Sequence, residues 1–261
     1  MLIPCDFNLH THTFRCHHAK GTDEEYVLKA IENGYKTIGF SDHAPYIFDG
    51  KHISNFRIEN DLTENYVNSI NKLKEKYKDK IDIKLGYEVE YYPQFFEKEM
   101  EYLKSFGYDY LILGQHYTGS EVERWARYTG HKTYRKVDID RYVSQVIEGV
   151  KTGEFAYVAH PDIINFAGLK SYYVQKMEYL VKELKKLDIP LEYNFLGFSD
   201  KRQYPNDTFW KLVKKHGNRV VVGLDAHYPC VYEETEQLKK LYMKLDKLGL
   251  EPIQNVEEIL K

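Results

Sequence analysis

VVVGLDAH, residues 220–227, is a short apolar, β-branched run that ends in an Asp-x-His pair. The chain opens in the same way: the run around Ile3–Leu9 ends in His10-x-His12. In a strand, residues i and i+2 point to one side, so each pair can offer both side chains to one cation. The arrangement recurs between these two segments. Thr37–Ser41 is followed by Asp42 and His43, Ile81–Tyr87 by Glu88, Tyr110–Gly114 by His116, and Phe155–Ala159 by His160. Pro190–Tyr193 carries Glu192 and leads into Asn194.

Segments of helical period separate these runs. Thr22 with Glu25 three residues on is a capping box, opening a helix that carries Tyr26, Val27, Ala30 and Ile31 and stops at Asn33-Gly34. Leu62, Tyr66, Ile70, Leu73 and Tyr77 recur at helical spacing on one face of a second helix. Further helices are predicted at about 94–106, 139–150, 172–187, 206–216 and 233–248, with a polar loop containing Trp125 before the 139–150 helix. Repeated β-then-α order implies parallel strands joined by right-handed crossovers. Seven such units, unbroken by a linker or repeat, predict an α/β fold. The expected form is a distorted (β/α)7 barrel, TIM-like, with residues 1–261 as a single domain. A doubly wound open sheet is the alternative, but its Gly-rich first turn is absent.

In such a barrel every strand C-terminus opens onto one face. Singly, His160-Pro161 and Asp225 would be ordinary turn formers, and Asp42 a cap. Jointly, a potential ligand at every strand end points to a shared metal site. His17, His52, His131 and His216 fall in loops or near a helix end and are read as solvent-facing. Imidazole with carboxylate suits Zn, Mn or Fe rather than Ca or Mg. Cys16 has no second cysteine at metal-finger spacing, so thiolate is not expected to take part.

Composition excludes several classes. Lys plus Arg number 37 against 40 Asp plus Glu, a net charge of −3, and no basic block favours nucleic acid. No apolar run approaches membrane-spanning length, and the N-terminal stretch lacks a secretory pattern. The 3 cysteines are too scattered for a disulfide framework. A soluble, cytoplasmic enzyme is the expectation.

The chain resembles the PHP (polymerase and histidinol phosphatase) family over nearly its whole length. The matching segments are NLHTHT (8–13), SDH (41–43), GYE (86–88), GQH (114–116), AHP (159–161) and GLDAH (223–227). Cys16-His17-His18-Ala19, Asp42-His-Ala-Pro45, Phe56-Arg57 and Glu192-x-Asn194 make it most similar to the monofunctional histidinol-phosphatases within that family. The resemblance implies a site for three divalent metal ions. One would be held by His10, His12, Glu88 and Asp225, a second by bridging Glu88 with His116 and His160, and a third by His18, His43 and His227. His18 rather than His17 is the match because it lies two after Cys16.

The resemblance also implies basic residues for the substrate phosphate. Arg202, in the loop after the sixth strand, is the candidate; a second arginine expected after the fifth strand is not evident in His160-Pro-Asp-Ile-Ile-Asn-Phe166, and Lys170, Arg124, Arg127 and Arg135 are read as ordinary surface charges ahead of substitutes for it. The implied reaction is hydrolysis of a phosphate monoester by metal-activated water, with L-histidinol phosphate the favoured substrate. Catalytic roles fall to Glu88, Asp225 and His227, and to Asp42 as general acid or as support for a ligand. Glu90, on the Glu88 strand, is placed either at the substrate ammonium or behind the ligands. Loops 44–57 and 117–137 should overhang the site. The alternative is another PHP phosphoesterase, acting on nucleotides, single-stranded nucleic acid or phosphotyrosine.

Overall fold

The computed structural model describes residues 4–50 and 52–260. Seven parallel strands form one sheet in sequence order. They are β1 (Phe7–Asn8), β2 (Thr37–His43), β3 (Asp82–Val89), β4 (Tyr110–Leu113), β5 (Tyr157–Val158), β6 (Leu191–Asn194) and β7 (Val220–Gly223). Helices α1 (Asp23–Glu32), α2 (Thr63–Tyr77), α3 (Phe96–Phe106), α4 (Lys136–Lys151), α5 (Lys170–Lys186), α7 (Asp207–His216) and α8 (Thr235–Leu248) alternate with the strands. One short helix, α6 (Phe195–Ser199), follows β6 directly.

The sheet curls until its first and last strands meet. Thr11 and Ala226 form a parallel bridge, in which the His12 N–H donates to the Ala226 carbonyl (2.9 Å) and the Ala226 N–H to that of His10 (3.1 Å). The Asn8 side chain adds a third link, accepting from the Leu224 N–H at 2.9 Å. The barrel is therefore closed by the residues that lie between His10 and His12 on one side and Asp225 and His227 on the other. The interior is filled, as in other βα barrels. Tyr110 reaches from β4 to donate to the Leu9 carbonyl at 2.7 Å, passing over Gly39 of β2 and Gly86 of β3. A Cβ at either glycine would overlap its ring.

Local signals explain most helix boundaries. Thr22 and Glu25 form the reciprocal capping box, with the Glu25 carboxylate 2.6 Å from the Thr22 N–H. The face of α2 formed by Tyr66, Val67, Ile70, Leu73 and Tyr77 is buried. The expected strand edges need correction. Of the Ile3–Leu9 run, Ile3 lies outside the described residues and only Phe7–Asn8 pairs. The Asn8 amide bonds the His10 N–H and carbonyl and turns the chain out of the ladder. The fifth strand shortens from 155–159 to Tyr157–Val158. The last helix starts at Thr235 because a 3₁₀ turn with Pro229 at its head occupies Pro229–Glu233. No helix of the described residues is long and apolar enough to cross a membrane.

Candidate metal centre

At the C-terminal end of the barrel lies a cavity of about 630 Å³. Its floor holds His12, His43, Glu88, His116, His160 and Asp225, and His18 and His227 stand at its edge. Glu88 sits centrally. Its Oε1 faces His160 Nε2 (2.8 Å) and His116 Nε2 (3.4 Å). Its Oε2 faces His43 Nδ1 (3.1 Å), His12 Nε2 (3.6 Å) and His10 Nε2 (3.7 Å). Asp225 Oδ1 lies 3.2 Å from His12 Nε2, 3.6 Å from His10 Nε2 and 3.4 Å from His227 Nδ1. Groups of three donors able to share one ion include His10-His12-Glu88, His10-His160-Asp225 and His12-His43-His227.

Three imidazoles are oriented from behind by buried carboxylates. Glu192 Oε2 holds His10 Nδ1 at 2.7 Å, Asp42 Oδ1 holds His12 Nδ1 at 3.2 Å, and Glu90 Oε1 holds His116 Nδ1 at 2.8 Å. Each leaves Nε2 turned into the cluster, the arrangement by which proteins fix metal-binding histidines. The carboxylates are themselves tied down. Asn194 donates to Glu192 (2.6 Å) and to Asp225 (3.1 Å), while Arg57 Nη1 lies 2.5 Å from Glu90. Asp42 accepts from the Thr13 hydroxyl, the Thr13 N–H (3.1 Å) and the His43 N–H (2.9 Å). Two glycines make room: a Cβ on Gly114 would collide with the Glu88 carboxylate, and one on Gly223 with that of Glu192. His160 (φ 30°) and Asp225 (φ 52°) hold left-handed backbone that non-glycine residues seldom adopt, a cost of roughly 1–3 kcal/mol each that tends to collect at functional sites.

The electrostatics call for cations. Burial pushes Glu88 and Asp225 up, yet the surrounding imidazoles overcome it and hold both well below the ordinary carboxylate range. Burial likewise opposes a charge on His10, but Glu192 and Asp225 prevail and carry it up to about 10. His43 and His227 go the other way: burial and then the charge of His12 hold them down, His227 to about 3. Without another positive centre, the carboxylates hold protons on neighbouring imidazoles. Two contacts also fit a shared cation. His43 Nδ1 and Glu88 Oε2, 3.1 Å apart, are both buried without a hydrogen-bond partner. His10 Nε2 and His12 Nε2 approach to 3.1 Å, a repulsion of lone pairs unless a proton or cation is shared. Nitrogen and carboxylate donors in this number fit divalent transition metals.

The cavity brings together the residues singled out from the sequence, with adjustments. His18 faces the cavity, its ring 4.8 Å from that of His227 and 5.3 Å from that of His43, while His17 points out, 41% exposed, toward Glu59. Glu90 is fully buried between His116 and Arg57, which removes it from contact with a substrate ammonium. Asp42 and Glu192 do not line the cavity; their carboxylates hydrogen-bond His12 and His10 instead. Among the described lining residues Arg202 is the one arginine or lysine, with Asp200 Oδ2 at 2.8 Å from its Nη2 and the Tyr204 hydroxyl at 3.3 Å from its Nη1. Lys170, Arg124, Arg127 and Arg135 line none of it. Asn55 and Phe56 from one expected loop, and Tyr117 and Tyr128 from the other, form part of the wall. Sequence reasoning missed Ser199, Glu234 and the buried Arg57 brace. Gly114 and Gly223, each inside a quoted motif, were the available signal for close carboxylate packing.

The chain is similar to several known proteins. The PHP domain matches residues 8–195. A probable histidinol-phosphatase of Deinococcus radiodurans is 25% identical over 236 residues, covering 86% of each chain. The histidinol-phosphatase of Lactococcus lactis is 26% identical over 231 residues, covering 82% of each. Among solved structures, histidinol phosphate phosphatase from Lactococcus lactis, complexed with zinc, L-histidinol and phosphate, superposes with a TM-score of 0.71 at 20% identity, covering 95% of each chain.

Proposed function

The chain belongs to the PHP family, and from that premise we propose that it hydrolyses L-histidinol phosphate to L-histidinol and phosphate at a centre of three divalent cations. The observation that carries this reading is the Glu88 carboxylate. Its two oxygens face two separate sets of imidazoles, within a cavity where Arg202 is the one arginine or lysine among the described lining residues. Curated relatives matching over 82–98% of this chain are named histidinol-phosphatase or probable histidinol-phosphatase, which supports the substrate.

Zinc, manganese or iron held there would polarise phosphoryl oxygens and bring the pKa of water toward neutrality. We assign His10, His12, Glu88 and Asp225 to one ion, Glu88, His116 and His160 to the next, and His18, His43 and His227 to the third. Glu192, Asp42 and Glu90 keep three imidazoles in the tautomer whose Nε2 lone pair points inward. Arg202 supplies a planar fork for the phosphate oxygens, with Asp200 fixing its angle. Ile163, Phe195, Leu196 and Leu224 line the same cavity and exclude water, which strengthens each charge interaction inside. Asp42 fits a positioning role better than that of general acid, because its carboxylate is fully buried and both oxygens are engaged.

Phosphate release from L-histidinol phosphate by the metal-loaded protein, beside a nucleotide, an oligonucleotide and phosphotyrosine, tests the reading. The expected result is a kcat/KM for L-histidinol phosphate at least a hundredfold above the others, abolished by chelator. A preference for any of the other three would overturn the substrate and leave the phosphoesterase.

A further inference from the structure

Four carboxylates face the cavity: Glu88, Asp225, Asp200 and Glu234. The first two belong to the metal centre, and Asp200 is paired with Arg202 at 2.8 Å. Glu234 is different. Its side-chain hydrogen bond is with the Ser199 hydroxyl at 3.3 Å, and among the described residues no lysine, arginine or histidine pairs with it. Its backbone is held from both sides, the N–H donating to Val231 (3.2 Å) and the carbonyl accepting from Leu238 (2.9 Å). It occupies the N-cap position of α8, where Asp, Asn, Ser and Thr are the preferred residues, and its longer side chain makes no bond to the free N–H groups of that helix. A half-buried carboxylate that leaves its own helix uncapped to face a cavity is available to a ligand.

The wall around it sets the ligand class. Leu196, Phe195 and Val231 line the same cavity as the Ser199–Glu234 pair, and its further lining residues Asn55, Phe56, Tyr117 and Tyr128 carry no charge. With Asp200 paired to Arg202 and with Glu88 and Asp225 given to metal, Glu234 is the lining carboxylate left to meet a positively charged leaving group. We propose that Glu234, oriented by Ser199, is the specificity residue that binds a cationic amine on the leaving group of the phosphate monoester. This rests on the phosphatase reading and deepens it: the pocket selects amino-alkyl phosphates over neutral ones. The ammonium of such a substrate donates to the Glu234 carboxylate, while the carbon skeleton lies on the Leu196–Val231 surface.

The experiment compares kcat/KM of wild type, E234Q and S199A for L-histidinol phosphate, N-acetyl-L-histidinol phosphate and p-nitrophenyl phosphate, with metal content measured on each. Loss of a charge-assisted hydrogen bond predicts a drop of about 10- to 100-fold for E234Q on L-histidinol phosphate, expressed mainly in KM. On p-nitrophenyl phosphate, which has no cation, E234Q should match wild type. Acetylating the amine should cost wild type about the same factor and cost E234Q nothing more; S199A should fall between. Equal losses on all three substrates, or no loss on L-histidinol phosphate, would overturn the proposal. A wild type inert toward L-histidinol phosphate but active on p-nitrophenyl phosphate would instead remove the substrate reading. Glu234 would then stand or fall on whether E234Q erases a preference for ethanolamine phosphate over ethyl phosphate.

Discussion

Replacing Glu192 by Gln changes one atom and one charge at a residue that does not line the cavity. Both oxygens of the native carboxylate accept hydrogen bonds, Oε2 at 2.7 Å from His10 Nδ1 and Oε1 at 2.6 Å from the Asn194 amide. A glutamine has one acceptor, so in either orientation its NH₂ meets a donor. Asn194 cannot flip to relieve the clash, because its Oδ1 already accepts from the Gly197 N–H at 2.8 Å and its Nδ2 also bonds Asp225 at 3.1 Å. The strain passes to His10, whose Nδ1–H must either be lost or turn away, and with it the direction of the Nε2 lone pair. Changes of this kind typically cost about 10- to 100-fold in metal affinity, or about 1.4–2.8 kcal/mol. Chelator competition on folded protein, with far-UV circular dichroism as the control for folding, measures the loss. Metal affinity within twofold of wild type would refute the idea that buried carboxylates set the donor geometry.

Further outcomes follow from the same contacts. Arg202→Ala should lower kcat/KM for phosphate monoesters by about 10- to 100-fold, with Arg202→Lys recovering part, while metal content by elemental analysis stays unchanged. Asp42→Asn should slow alkyl and aryl phosphates by the same factor, since the carboxylate acts through His12; a selective loss on alkyl phosphates, whose leaving groups need a proton, would restore it as general acid. Glu99, buried in α3 with one oxygen unpartnered, is pushed by burial up to about 8 from an ordinary 4.5. The native state thus keeps a proton that the unfolded state has released, and Glu99 makes stability fall as pH rises from about 4.5 to about 8. Glu99→Gln should remove that slope and stabilise the fold at pH 7 by about 3 kcal/mol, with no gain below pH 4 in denaturant titrations.

The fold and the convergence of the candidate donors were legible for one reason: strand period and strand order are local properties, and barrel geometry turns them into convergence. His10-x-His12 and Asp225-x-His227 could be read as same-side pairs, and closure of the barrel between Thr11 and Ala226 sets the two pairs side by side. The partners behind the donors were not legible to the same degree. That Glu192 on β6 holds His10 beyond β1, or that Glu90 holds His116, depends on which strand ends are neighbours across the closed barrel and on the depth of each side chain. Glu234 was out of reach because it lies between a 3₁₀ turn and a helix, where no periodicity distinguishes a cavity-facing acid from a solvated one. Arg57 appeared in the sequence only as part of a Phe-Arg motif; its burial against Glu90 and Glu121 joins positions 33 and 64 residues apart.

The central claim is that donors from separate strands share cations in one cavity. Anomalous diffraction from crystals of the protein loaded with zinc, recorded on both sides of the zinc edge, tests it most directly. The account predicts peaks within about 2.0–2.3 Å of the Glu88 and Asp225 oxygens and of the inward nitrogens of His10, His12, His116 and His160. Metal found only on surface histidines such as His17 or His131, with Glu88 left in contact with protonated imidazoles alone, would contradict it.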